Sequence, residues 1–101
     1  MIFIPLHDLL ADDQNATRAG WAQDALKAFG GNTGQNYFDG ALQPEDLDLV
    51  MEAGGDLVCA LMHLARKLGG NAEQLLEQGR EHFEYEVREE EAEKSETEGT
   101  V

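Results

Sequence analysis

The sequence lacks the cysteines that a disulfide or a structural zinc site requires. Cys59 is the only cysteine, so no disulfide can form within the chain, and no Cys–Cys or Cys–His pair has zinc-finger spacing. A lone cysteine is typical of a protein from a reducing compartment. We therefore expect a cytoplasmic protein that holds no structural metal and no cofactor.

Long apolar runs are also missing. The longest uninterrupted apolar stretches, Met1–Leu6 and Leu57–Met62, are far shorter than the roughly 20 residues that span a bilayer. The first residues lack the basic flank and the longer apolar run of a secretory signal. Neither a membrane span nor a signal peptide is expected, which agrees with a cytoplasmic location.

Basic side chains are scarce. The sequence contains seven Lys and Arg residues and 21 Asp and Glu residues, so the net charge is −14. Half of that charge, −7, lies in residues 81–101, where nine glutamates stand against Arg88 and Lys94. A chain this acidic is repelled by nucleic acid and by anionic membranes. We expect no direct contact with either, and a basic protein surface as the partner.

What the sequence does contain is helical periodicity. Apolar residues recur at spacings of three and four, which predicts three main helices over Ala16–Phe29, Pro44–Leu68 and Ala72 to about Val87. An apolar N-terminal arm, Met1–Leu10, is expected to pack against them or against a neighbour. Almost nothing apolar follows Val87, so residues 88–101 are expected to form an acidic, partly disordered tail. The predicted fold is all-α, a compact three-helix bundle in residues 1–87 followed by that tail.

Glycine, proline and asparagine mark the expected helix ends. Gly30-Gly31 and Gly69-Gly70 are predicted to stop the first and second helices, because glycine accepts the left-handed conformation that often follows a helix. Pro44 suits the first position of the second helix. Asn71, with Gln74 three residues later, predicts a capping box at the start of the third.

Two apolar stripes are expected to supply the core. The first helix offers one stripe, formed by Trp21, Ala22, Ala25, Leu26 and Phe29. The second carries a heptad seam, formed by Leu47, Val50, Gly54, Leu57, Leu61, Leu64 and Leu68. Either the chain's own helices fill this seam, or it pairs with the seam of a second copy in a two-fold dimer. Gly54-Gly55 indicates a close approach by another helix or a kink.

A polar stripe lies opposite the seam. Glu52, Asp56, Cys59 and His63 follow spacings of four, three and four, within about 60° of the helix circumference. Glu52, Asp56 and His63 are candidate ligands for a divalent metal. A metal site normally needs ligands from a second element, and the first helix offers only Asp24. The solvent face of an amphipathic helix is the alternative that we favour.

No catalytic group can be assembled from the sequence. His63 and His82 could act as acids or bases. Neither is visibly paired with a nucleophile and a third, orienting group. The glycine-rich segment Gly30–Gly34 lacks the lysine of a phosphate-binding loop. We therefore expect a protein that is not an enzyme.

The stretch from Glu52 to Phe83 resembles short proteins of phages and integrated mobile elements. Those proteins carry a D-L-x-x-x-L-M-H-x-A helix, a glycine break, and a leucine-rich helix ending in R-x-H-aromatic. The matching residues here are Asp56, Leu57, Leu61, Met62, His63, Ala65, Arg80, His82 and Phe83. The resemblance covers about a third of the chain and implies a phage or mobile-element origin, without an activity.

The same stretch is loosely similar to the all-α nucleotide pyrophosphohydrolases. In that family an E-x-x-D helix and an E-x-x-E pair on an earlier helix bind Mg²⁺. Here Glu52 and Asp56 are four residues apart, and the first helix offers Gln23 and Asp24 without a second glutamate. The resemblance implies, as an alternative, a metal-dependent nucleotide hydrolase that uses Glu52 and Asp56.

The leading functional prediction is a non-enzymatic acidic binding protein. It would present acidic helical surface to a basic site of a host nucleic-acid-handling protein, as inhibitors of CRISPR or restriction systems do. The predicted partner-binding residues are Glu81, Glu84, Glu86, Glu89, Glu90 and Glu91. The alternatives are the nucleotide hydrolase and a structural adaptor that dimerises through the leucine seam.

Overall fold

The computed structural model describes residues 5–6, 9–34, 40 and 42–99. Three α-helices run through these ranges: α1 (Ala11–Thr33), α2 (Leu47–Lys67) and α3 (Ala72–Gly99), with a short 3₁₀ turn (Pro44–Asp46) leading into α2. Each helix packs against the other two, and no strand occurs among the described residues. The predicted all-α bundle of three main helices is confirmed. The N-terminal arm lies mostly outside the described residues.

Helix α1 is longer at both ends than the sequence predicted. It continues through Gly30 and Gly31, so the prediction that this glycine pair stops the helix was wrong. The helix ends instead at Gly34, whose φ of 85° is left-handed and whose N–H donates to the Gly30 carbonyl at 2.9 Å. A helical glycine costs about 1 kcal/mol relative to alanine, which a further turn of backbone hydrogen bonds can offset.

The start of α2 matches the prediction. Pro44 occupies the first position of the 3₁₀ turn, where its missing N–H would have no helical partner. The Gln43 N–H donates to the Asp46 carboxylate at 2.9 Å, and the Asp46 N–H donates to the Gln43 carbonyl at 2.9 Å. These reciprocal bonds fix the direction in which the chain enters α2.

The turn between α2 and α3 forms at the predicted glycine pair, and of the predicted capping box the half made by Asn71 forms. Gly69 has a left-handed φ of 86° and donates its N–H to the Arg66 carbonyl at 3.0 Å, while the Gly70 N–H reaches the Ala65 carbonyl at 2.8 Å. This pair of bonds is the Schellman motif. Asn71 Oδ1 then accepts hydrogen bonds at 2.8 and 3.4 Å from two backbone N–H groups in the first turn of α3.

Helix α3 does not end near Val87. It continues to Gly99, so the expected boundary at residues 87–88 falls inside the helix. Polar groups of α1 contact α3 at Glu86, just before the added segment, and at Glu93 within it. Arg18 Nε lies 3.4 Å from Glu86 Oε2, Asn15 Nδ2 donates to the Glu86 carbonyl at 3.1 Å, and the Ala11 N–H donates to Glu93 Oε2 at 2.6 Å. The order of these contacts shows that α1 and α3 are antiparallel.

The apolar core is small. Among the described residues only Ala11, Leu26 and Ala53 are buried apolar residues. Leu26 and Ala53 contact each other, and three half-buried side chains surround them: Leu42, Val50 and Leu57. Trp21 is 57% exposed, so the prediction that it belongs to the core was wrong. Five residues along a helix correspond to about 140° of rotation, which places Trp21 and Leu26 on different faces.

The chain's own helices fill only part of the leucine seam. Val50, Gly54 and Leu57 are half-buried, whereas Leu47, Leu64 and Leu68 are exposed, Leu68 to 77%. A Cβ atom added at Gly54 or at Gly55 would meet no atom within 4 Å. Among the described residues no other helix therefore approaches the glycine pair closely, and α2 is continuous through it. In the part of the chain described, no helix is both long and apolar enough to cross a bilayer.

The contact between Glu93 and the N-terminus of α1 leads to the first prediction. The carboxylate caps an N–H that α1 cannot satisfy itself and lies near the positive end of the helix dipole. We expect Glu93→Ala to lower the free energy of unfolding by about 1 kcal/mol in urea denaturation at one fixed protein concentration. Glu91→Ala is the matched control, because that side chain is exposed two residues away. Equal effects of the two substitutions would contradict the capping role.

Candidate functional site

Helix α3 carries most of the charge of the protein. It contains 11 glutamates against Arg80, Arg88 and Lys94, so its net charge of −8 is more than half of the total of −14. Carboxylates repel each other, and they stay together here because the helix backbone spaces them and α1 neutralises part of the charge through Arg18. The density of charge makes α3 the first place to look for a partner-binding surface.

One side of α3 is a row of exposed carboxylates. Spacings of four, four, three and seven place five exposed glutamates within about 80° of the helix circumference. We call this row the acidic face: Glu73, Glu77, Glu81, Glu84 and Glu91. It is about 27 Å long, from 18 residues at about 1.5 Å each. Two exposed arginines share this side of the helix, because Arg88 lies within the sector and Arg80 lies about 20° outside its edge.

The six predicted partner-binding glutamates lie on three different sides of α3. Glu81, Glu84 and Glu91 lie on the acidic face. Glu86 and Glu90 are half-buried on the side that faces α1, where Glu86 pairs with Arg18, and Glu90 lies 3.9 Å from Lys94.

Glu89, the remaining predicted residue, points to a third side of α3. It accepts a hydrogen bond from the Tyr85 hydroxyl at 3.1 Å. The acidic face also includes Glu73 and Glu77, which the sequence analysis missed because it began where the charge density rises at residue 81. The four-residue spacing upstream of Glu81 was the signal that could have found them.

A cleft of about 410 Å³ separates α1 from the middle of α3. Apolar groups of Ala19, Phe83 and Val87 line it, together with polar groups of Asn15, Arg18, Glu86 and Glu90. Phe83 is 62% exposed at its edge. The cleft lies beside the acidic face and could accept a side chain with an apolar stem and a cationic end, because Phe83 offers a ring and Glu90 a carboxylate.

The predicted metal candidates lie on the opposite side of α2 from the seam. Glu52, Asp56 and His63 are all exposed, as is Cys59 beside them, and all four come from one helix. Asp24 is exposed on α1. Within residues 5–6, 9–34, 40 and 42–99, no three His, Cys, Asp or Glu side chains converge so as to hold a metal ion. The described residues therefore give the nucleotide-hydrolase alternative no assembled site.

Comparisons of the chain with protein-family models, with curated proteins and with solved structures found no match. The resemblances to mobile-element proteins and to nucleotide pyrophosphohydrolases stay predictions that rest on the residues quoted for them. The chemistry of the exposed surfaces of this chain is therefore the basis for inferring its function.

The hydrogen bond between Tyr85 and Glu89 leads to the second prediction. That hydrogen bond and the negative charge of Glu89 raise the pKa of Tyr85 above its ordinary value. Because the folded-state pKa is the higher one, the stabilisation is fully present below the unfolded pKa of about 10 and is lost as the pH rises through the folded pKa. We expect Glu89→Ala to lower the pKa of Tyr85 in an ultraviolet titration.

Two further variants make this titration specific. Tyr85→Phe identifies the transition that belongs to Tyr85, since Tyr37 is the only other tyrosine. Glu91→Ala removes an equal charge from the acidic face and is expected to leave the transition almost unchanged. An unaltered Tyr85 transition in Glu89→Ala would show that the two side chains do not interact in solution.

Proposed function

We propose that this chain is a cytoplasmic, non-enzymatic binding protein that presents the acidic face of α3 to a basic surface of a nucleic-acid-handling protein. The observation that supports the proposal is the row of five exposed carboxylates on one side of a single helix. The Cβ atoms of neighbouring glutamates from Glu73 to Glu84 are about 5–6 Å apart, and Glu91 follows two turns, about 10 Å, further on. A groove that binds a nucleic-acid backbone with lysine and arginine side chains would find a linear series of negative charges there.

The way α3 is held supports the same proposal. Arg18 and Asn15 contact Glu86, and the Ala11 N–H contacts Glu93, so α1 braces the half of α3 that has few apolar side chains. A surface that is ordered before binding loses less conformational entropy on association. The acidic face is therefore better suited to a specific complex than the same glutamates on an unstructured chain.

The electrostatics determine how such a complex behaves. Opposite charges steer the two proteins together and raise the association rate, and added salt screens this attraction. The Debye length is about 10 Å at 0.1 M salt and about 3 Å at 1 M. Binding through the acidic face should therefore weaken steadily as the salt concentration rises.

The partner class follows from charge and from the resemblance described above. The net charge of −14 disfavours a nucleic acid as the ligand and favours the basic protein that would otherwise bind one. Similarity to phage and mobile-element proteins makes a host defence protein of the CRISPR or restriction type the partner that we propose. No observation among the described residues favours the nucleotide hydrolase over this function.

The third prediction tests the acidic face. A triple variant, Glu77→Gln, Glu81→Gln and Glu84→Gln, removes the three negative charges at the centre of the acidic face. Capture of basic nucleic-acid-handling proteins from a bacterial lysate is expected to fall at least about tenfold at low salt, because three charge contacts are lost together. Captured proteins are identified by mass spectrometry at low and high salt.

The matched control removes the same charge elsewhere, with Glu45→Gln, Glu52→Gln and Asp24→Asn. All three side chains are exposed and none lies on α3. This control is expected to capture the same proteins as the unaltered chain. If both triple variants lose binding equally, net charge rather than the acidic face is responsible, and the proposal fails.

A further inference from the structure

We infer that a second copy of this chain covers the exposed apolar side of α2, with the two α2 helices antiparallel about a two-fold axis. The surface concerned is here called the apolar face: Leu47, Met51, Val58 and Leu61 are exposed on it, and Gly54 and Ala65 are half-buried. This inference is independent of the acidic face of α3, which it leaves free for another partner.

The apolar face is continuous and uncharged. Leu47 is 59% exposed and Met51 is 67% exposed, and Val58 and Leu61 follow on the same side. The face extends for about 27 Å along α2, from 18 residues at about 1.5 Å each. Scattered exposed apolar residues are ordinary, but a contiguous row of this length marks a binding surface.

The chain exposes more surface than a compact monomer of its mass. Its accessible surface is 8074 Å², whereas a compact monomer of 11.1 kDa exposes about 5,700 Å². Only three apolar side chains are buried among the described residues, so the fold would gain stability from a molecule that covers the apolar face of α2.

The charges at the two ends of α2 favour a second copy of this chain as the molecule that covers the apolar face. They also favour an antiparallel orientation of the two α2 helices. Acidic residues Glu45, Asp46 and Asp48 lie at the N-terminal end, and Arg66 and Lys67 lie at the C-terminal end. In an antiparallel pair each acidic end meets the basic end of the other copy, and the two-fold axis makes this contact twice. A parallel pair would bring like charges together at both ends.

Asp48 and Arg66 are the best-placed pair of these charges. They are 18 residues apart, which is about five helical turns, so they project in the same direction beside the apolar face. In an antiparallel pair centred near residue 57, Asp48 of each copy lies opposite Arg66 of the other. Both ion pairs then flank the apolar contact on one side.

The glycine pair fits the centre of this arrangement. Gly54 lies about one turn from residue 57, and a Cβ atom there would meet nothing within 4 Å in this chain. Helices can approach closely where glycine replaces a larger side chain, which would recover the cost of about 1 kcal/mol that each helical glycine carries. Within the described part of the chain, no atom lies within 4 Å of a Cβ atom built at Gly54 or Gly55.

The dimer and the acidic-face complex should differ in their response to salt. Salt screens both the repulsion between two copies that each carry −14 and the attraction between the charged ends of α2, whereas burial of the apolar face is not weakened by salt. Added salt should therefore change self-association much less than it weakens binding of a basic partner. The salt response separates the two proposals even if one of them is wrong.

The fourth prediction is tested by sedimentation equilibrium of the full chain at low and high salt. We expect a monomer–dimer equilibrium. Met51→Glu, which introduces a charge into the apolar face, should raise the dissociation constant at least about tenfold. His63→Glu is the matched control, because it adds a charge to the exposed opposite side of the same helix and should change the constant by less than about threefold. Circular dichroism establishes that both variants remain helical.

A charge exchange tests the antiparallel direction. Asp48→Arg and Arg66→Asp each place like charges together in the antiparallel dimer, so each should weaken it by about two- to tenfold, counting both symmetric contacts. The double variant restores opposite charges at an unchanged net charge of −14 and should return the constant to within about twofold of the unaltered chain.

Three results would overturn the inference. A monomer at all concentrations and salt levels rules out the dimer, and a dimer equally weakened by Met51→Glu and His63→Glu does not use the apolar face. A double charge variant that dimerises less well than either single variant excludes the antiparallel direction. None of these results bears on capture of a basic partner by the triple glutamate variant, so the proposed function is judged separately.

Discussion

The distal half of α3 keeps its position because α1 supplies the partners that its own sequence lacks. Beyond Val87 the helix has almost no apolar side chain to bury, so hydrophobic packing cannot hold it. The Arg18–Glu86 ion pair and the Glu93 cap on α1 take that role. Exposed ion pairs contribute little individually, but here they act together with a helix cap along one interface. Glu91, the last residue of the acidic face, lies between these two contacts.

A second constraint is the size of the core. Leu26 and Ala53, with three half-buried neighbours, form the main apolar contact among the described residues. A domain of this length ordinarily buries a larger apolar surface. The consequence is visible on α2, where one face packs inside the bundle at Val50 and Leu57 and the adjoining apolar face stays open. A chain of this kind gains stability when another molecule covers what it exposes.

The two exposed surfaces therefore differ in their physical character. The acidic face of α3 attracts through long-range charge, which acts before contact and is screened by salt. The apolar face of α2 binds through burial of surface, which acts only on contact and has no preference for low salt. They lie on different helices, so one molecule could dimerise through α2 and still present two acidic faces. Linked copies of one site bind a repeated or symmetric partner more strongly than a single copy does.

The sequence by itself determined the three helices of this protein and three of their six ends, the two ends of α2 and the start of α3. Apolar residues spaced three and four apart require helices, and Pro44, Asn71 and Gly69-Gly70 act through local backbone chemistry that needs no distant partner. The contacts between helices could not be predicted from the spacing of apolar residues or from local backbone chemistry. Three points depend on what a second helix places opposite: the continuation of α1 through Gly30-Gly31, the continuation of α3 beyond Val87, and the burial of Trp21. Only the tertiary structure decided these points, because a helix–helix contact is a property of two faces and their register, whereas a periodic pattern describes one face at a time.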